Sequence, residues 1–163
     1  GMIEPNMATM LGFIFIDLEI PQKILQALLK QLNDKSFNRI SVDGDESTND
    51  TVILASSNKI KLKNKINSIN DKRINSLKIS LNRVFSSLSE QIVRDGEGAT
   101  KLIKIKVKKA KNILQAEKIA RSIANSNLFK TAIYGEDANW GRIIMAIGKT
   151  YEKKDQSRQQ AKS

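Results

Sequence analysis

Residues 11–32, "LGFIFIDLEIPQKILQALLKQL", set a strand and a helix in immediate succession. Residues 11–18 are apolar almost without a break, and Asp17 and Glu19 end the run, so they predict a buried β-strand. Pro21 then stands where a first helical residue belongs, with φ preset and no N–H to leave unpaired. Leu25, Leu28, Leu29 and Leu32 follow at helical spacing and predict an amphipathic helix over 21–35.

Downstream the same mixture continues. "RISV" enters the polar segment "DGDESTND" at 43–50. "TVILA" after it reads either way, because Ser47, Thr48 or Asn49 could cap a helix there. Residues 56–71, rich in Ser, Asn and Lys, predict irregular structure. Ile74, Leu77, Leu81, Val84, Phe85, Leu88 and Ile92 form one stripe of a long helix, which stops at "RDGEGATK". In "KLIKIKVKK", Ile103, Ile105 and Val107 alternate with lysines, the period of a strand with one wet face. A helix over 112–125 follows, with Ile113, Ala116, Ile119, Ala120 and Ile123 inward. "KTAIYGEDANWGR" predicts a strand and a turn, "RIIMAIG" a buried helix, and the polar residues 150–163 a frayed, disordered tail. No repeat or linker divides the chain. The expectation is α/β layers around one core.

Composition narrows the chemistry. The 163 residues are 40% hydrophobic and 28% charged, ordinary for a soluble globular domain. No apolar stretch approaches the roughly 18 residues of a membrane helix, and no secretory signal opens the chain, so the expected compartment is the cytoplasm. There is no Cys and no His. A thiol nucleophile, a Ser-His-Asp triad and the commonest metal ligands are therefore excluded within this chain. Any base must be a carboxylate, a lysine or a terminal amine. The net charge of +11 suggests nucleic-acid binding, but the lysines interleave with aliphatics and only 5% of residues are aromatic. Platforms for base stacking are poor, and a solvated surface accounts for the charge.

Four stretches could carry chemistry. In "VDGDES", Asp43 and Asp45 fit the D-x-D of a Mg²⁺-dependent phosphatase of the haloacid dehalogenase type, with Asp43 as nucleophile; a capped polar turn explains them more simply. "RDGEGATK" sets Glu97 between two glycines that let a ligand approach the backbone. "GEDANWGR" gathers Glu136, Asp137 and Arg142 around the only Trp, as a corner with an internal ion pair would. At the start, "PNMATM" holds Ala8 and Thr9. A Thr hydroxyl needs an adjacent base to attack a carbonyl. If the backbone is cut between Ala8 and Thr9, the α-amine freed on Thr9, with a pKa of about 7.7–8.0, can serve as that base.

"GMIEPNMATML", "ISVDGDESTNDTV", "IVRDGEGATK" and "KTAIYGEDANWGRI", in this order, closely resemble the bifunctional ornithine acetyltransferase/N-acetylglutamate synthase family of arginine biosynthesis, over residues 1–149. The resemblance implies a layered α/β fold of the type shared with DmpA-like self-cleaving aminopeptidases, here incomplete. It implies self-cleavage between Ala8 and Thr9, so that 1–8 end an α chain and 9–149 begin a β chain. Thr9 would take the acetyl group from N-acetylornithine as an ester and pass it to glutamate, with acetyl-CoA a donor in some members and no metal or other cofactor. Glu97 matches the family's substrate-binding Glu. The expected partners are the α chain and the rest of the β chain, in a heterotetramer of two α and two β chains. The α chain would carry the oxyanion-hole Thr-Gly pair and a substrate-binding Lys. A later segment would add an Asn and a Thr or Ser. The chain is accordingly expected to be a fragment, inactive alone, and residues 150–163 match nothing in the family.

Overall fold

The computed structural model describes residues 10–42, 44 and 49–160, with the backbone alone for 152–160. It divides into two compact units, 1–97 and 98–163, in place of the single core expected from sequence. Each has its own apolar cluster. The division falls in the Gly-Glu-Gly turn.

In the first unit the leading strand forms as expected, β1 over Leu11–Leu18. Helix α1 spans Gln22–Asn33, and Pro21 is its cap, with ψ 139° and its carbonyl accepting the first helical N–H groups. The ambiguous run becomes a strand, β2 over Thr51–Ile60, which also claims residues 56–60 from the expected loop. Its β-branched start pairs in parallel with β1, from Leu11 opposite Thr51 to Ile16 opposite Ser56. The register then shifts so that Leu18 lies opposite Ile60, and Asn58 takes up the extra length at φ 56°. The long helix α2 spans Asn75–Arg94.

The two helices cover one face of this pair of strands. Ile14 and Leu54 are buried there with Leu32 of α1 and Leu81 and Phe85 of α2. Further along, Ile24 and Leu28 of α1 bury Ile66 and Ile74. On the other face Phe13 is 55% and Phe15 74% exposed. The expectation of a buried strand is thus met on one face alone. Alternation sends every second side chain of "LGFIFIDL" away from the helices, whatever its polarity.

A short 3₁₀ turn, Lys72–Ile74, leads into α2. Asp71 accepts the Arg73 N–H at 3.0 Å and pairs with the Arg73 guanidinium at 2.6 Å. The guanidinium also donates to the carbonyls of Asn64 and Lys65, tying the irregular stretch to the helix start. These bonds from Arg73, side chain first and backbone second, lower the Asp71 pKa to about 2. A depressed carboxylate pKa adds stability above its unfolded value, near 3.9, and loses it as pH falls through the folded one. Asp71→Asn is therefore expected to lower the urea midpoint at pH 7, and its gap from the parent should close as pH falls from about 4 towards about 2. Paired urea titrations across that range measure it. A gap independent of pH would count against the ionic origin.

The second unit is helical: α3 over Ile113–Ala124, α4 over Asn127–Tyr134 and α5 over Trp140–Gln160. Asn112 caps α3 by accepting the Gln115 N–H, which places Ile113 outside the helix's inner stripe; it is 70% exposed rather than inward. The strand expected in "KTAIYG" is α4 instead. Ser126 caps it by accepting the Phe129 N–H, and Phe129 and Ala132 lie on one helical face. The strand expected at 101–109 does not form, although Ile103 and Ile105 do point into the cluster of Ile123, Phe129 and Ala146. The period-two pattern is obeyed, but a strand also needs a hydrogen-bonded neighbour, and among the described residues none lies alongside. The polar stretch expected to fray from 150 continues α5 to Gln160, since Glu, Lys, Gln and Arg are good helix formers. No helix among the described residues is long and apolar enough to cross a membrane.

Candidate active site

Ala8 and Thr9 lie outside the described residues, as do Asp43 and Asp45. Met10, the residue after Thr9, is 8% exposed and packs in the cluster of Ile14, Leu54 and Phe85. Its carbonyl accepts the Thr51 N–H at 2.8 Å, and its own N–H donates to Asp50 Oδ1 at 2.8 Å. Among the described residues the parallel register begins with Leu11 opposite Thr51, and the Met10 N–H just before it is held by a side chain.

Glu97 lies beyond the end of α2. The helix closes with the Asp95 N–H bonded to the Gln91 carbonyl at 2.9 Å. Gly98 then turns the chain at φ 70°, a conformation that a side chain would strain. Glu97 is exposed between the two glycines, as its sequence context implies.

The start of β1 and the end of α2 border one cleft, which Glu97 itself does not line. A cleft of about 570 Å³ is lined by Leu11, Gly12 and Phe13 at the start of β1, by Phe37, and by Leu88, Gln91, Ile92, Arg94 and Asp95 at the end of α2. Leu11 is two residues after Thr9, and Asp95 two before Glu97. The volume falls within the roughly 300–1,000 Å³ of small-molecule sites. Its floor is apolar, and charge enters at Arg94, held by Glu90 at 2.7 Å, and at Asp95. An apolar floor with a few charged groups suits a small molecule that carries both an aliphatic part and an ionised head. A second cavity, about 290 Å³, lies at the other end of the strands, by Glu19, Pro21, Asn58 and Lys65, and is not lined by Glu97.

In the second unit the corner around Trp140 differs from expectation. Glu136 pairs with Lys101 at 2.8 Å, not with Arg142. Arg142 instead donates to the Leu128 carbonyl at 2.6 Å, and Trp140 is 74% exposed. Lys101 also donates to the carbonyls of Ile133 and Tyr134 at the C-terminal end of α4, where a cation is favoured. Its bond and charge hold the Glu136 pKa below the usual carboxylate range. Sequence reasoning gave no role to Lys101, Asp50 or Phe37. Asp50 does stand directly before the apolar run, where a side chain can end a ladder, but only the pairing register reveals it.

The sequence motifs have relatives of the same pattern. The ArgJ family model matches residues 1–162, including the stretch from 150 that was expected to match nothing. "Arginine biosynthesis bifunctional protein ArgJ" of Bradyrhizobium diazoefficiens is 48% identical over 160 residues, 97% of this chain and 39% of the relative. The protein of that name from Lactococcus lactis is 51% identical over 148 residues, 91% of this chain and 37% of its own length. The crystal structure of ArgJ from Bacillus halodurans superposes with a TM-score of 0.77 at 43% identity, covering 86% of this chain and 65% of that one. The chain thus spans about two-fifths of the length of these curated relatives, with an α/β fold that is part of theirs. Matched by the family model over nearly its whole length, this chain belongs to the ArgJ family.

Proposed function

We propose that this chain is the nucleophile-bearing part of an acetyltransferase of arginine biosynthesis, which moves an acetyl group from N-acetylornithine to glutamate. The observation that carries the reading is the cleft, which joins the residues after Thr9 to those before Glu97 in a chain of this family. In the first event Thr9 Oγ attacks the Ala8 carbonyl, the peptide bond breaks to an ester, and water releases the Ala8 carboxylate and a free Thr9 amine. In the second, that amine takes the hydroxyl proton while Oγ attacks the acetyl carbonyl of N-acetylornithine. The amide C–N bond breaks, and ornithine leaves with the proton. The amine of glutamate then attacks the acetyl ester and restores the hydroxyl. No step needs a metal, and acetyl-CoA can load the same hydroxyl. The α chain and the rest of the β chain complete the site, in a cytoplasmic assembly of two α and two β chains.

Glu97 receives the free ammonium of N-acetylornithine, the nitrogen that does not carry the acetyl group. Glu97→Gln keeps the shape and removes the charge. In the assembled enzyme it should lose a charge-assisted hydrogen bond of about 1.5–3 kcal/mol, roughly ten- to a hundredfold in kcat/KM. Cleavage before Thr9 should be spared, because no free substrate takes part in it. Ornithine release and intact mass, measured on one preparation, test both halves. A variant that fails to cleave would move Glu97 into the activation of the nucleophile.

A further inference from the structure

We propose that Asp50 is a positioning residue for Thr9: its carboxylate holds the amide of Met10, and thereby the peptide unit that joins Met10 to Thr9. The proposal rests on Thr9 being the nucleophile. Met10 is secured in three ways. Its side chain is buried against the β1–β2 core, its carbonyl is taken by the first amide of β2, and its N–H is taken by Asp50. A trans peptide unit is planar, so the N–H of one residue lies in one plane with the carbonyl and Cα of the residue before it. Fixing the direction of the Met10 N–H therefore limits the orientations open to the residue that carries the attacking hydroxyl.

The side-chain origin of this bond is the informative feature. In a continuing parallel ladder a main-chain carbonyl would accept from Met10. Here the half-buried Asp50 substitutes for it at 2.8 Å, 40 residues away in sequence and immediately before the first paired residue of β2. The task calls for an acceptor at that point rather than for a charge, and Asn carries the same Oδ1 on the same frame. That separates positioning from a general electrostatic role. Misplacing a reacting group by about 1 Å can cost on the order of a hundredfold in rate.

The test uses the enzyme assembled with its α chain and remaining segment. Asp50→Ala, Asp50→Asn and Thr9→Ala are compared by extent and rate of cleavage before Thr9, by kcat and KM for N-acetylornithine, and by thermal midpoint. Asp50→Ala is expected to lower kcat about ten- to a hundredfold, slow cleavage in step, and leave KM within about twofold. Asp50→Asn is expected to stay within about threefold of the parent on every measure, since the acceptor survives. Three results overturn the proposal: unchanged kcat and cleavage in Asp50→Ala, an Asp50→Asn as impaired as Asp50→Ala, or a loss that disappears at a lower temperature where the variant is fully folded. If Thr9→Ala itself still transfers acetyl groups, the nucleophile assignment fails first, and the role of Asp50 falls with it.

Discussion

Thr9→Ala is expected to abolish self-cleavage and acetyl transfer together. The chain has neither His nor Cys, so the hydroxyl of Thr9 has no side-chain base of the usual kind on this chain. On the proposed route the α-amine that replaces such a base arises only after the cut, and the cut itself would use the hydroxyl. Removing Oγ therefore blocks the first event, and with it the only route to the amine. In the assembled enzyme the intact mass should show an uncut chain. Ornithine release should fall by on the order of 10⁶-fold, the scale on which a hydroxyl-nucleophile enzyme loses turnover when the hydroxyl is removed. Thr9→Ser keeps both groups and should retain part of each activity. An uncut Thr9→Ala that still released ornithine would show that another group attacks the acetyl carbonyl.

Phe85→Ala should be the most damaging change to the first unit. The ring is fully buried in the centre of α2, packed edge-on to Phe37 with centroids 5.7 Å apart, in the cluster that also holds Met10, Ile14 and Leu54. Truncating a buried Phe costs about 3–5 kcal/mol, a large share of the roughly 5–15 kcal/mol by which domains are stable. Loss of the aromatic pair is part of that cost. Phe85→Leu retains most of the volume and should cost less. Urea titrations followed by far-ultraviolet circular dichroism compare the three proteins; a change below about 1 kcal/mol in Phe85→Ala would mean that the site collapses and refills. The consequence reaches function, because Phe37 lines the cleft at the start of β1. A stable Phe85→Leu enzyme with a raised KM would record that coupling.

Several elements were legible in the sequence because their cause is local. The apolar run at 11–18, the stripe from Ile74 to Ile92 and the helical spacing after residue 112 each specify an element from within a few residues. So does the Gly-Glu-Gly turn, where one glycine takes a positive φ. The family could be recognised from motifs alone. Other features depend on what lies alongside. "TVILA" is a strand because β1 accepts it in register, while "KLIKIKVKK" alternates just as a strand does yet has no neighbour among the described residues. α4 replaced an expected strand because Ser126 caps it and its apolar residues meet α3 and α5. The cleft was invisible in sequence, since about 80 residues separate its two walls, Leu11 and Phe13 from Gln91 and Arg94. Asp50 was invisible for the same reason. Local chemistry determined which residues could react and which segments would be helical. Tertiary structure decided which of them meet, because parallel pairing joins segments whose separation along the chain leaves no periodicity to read.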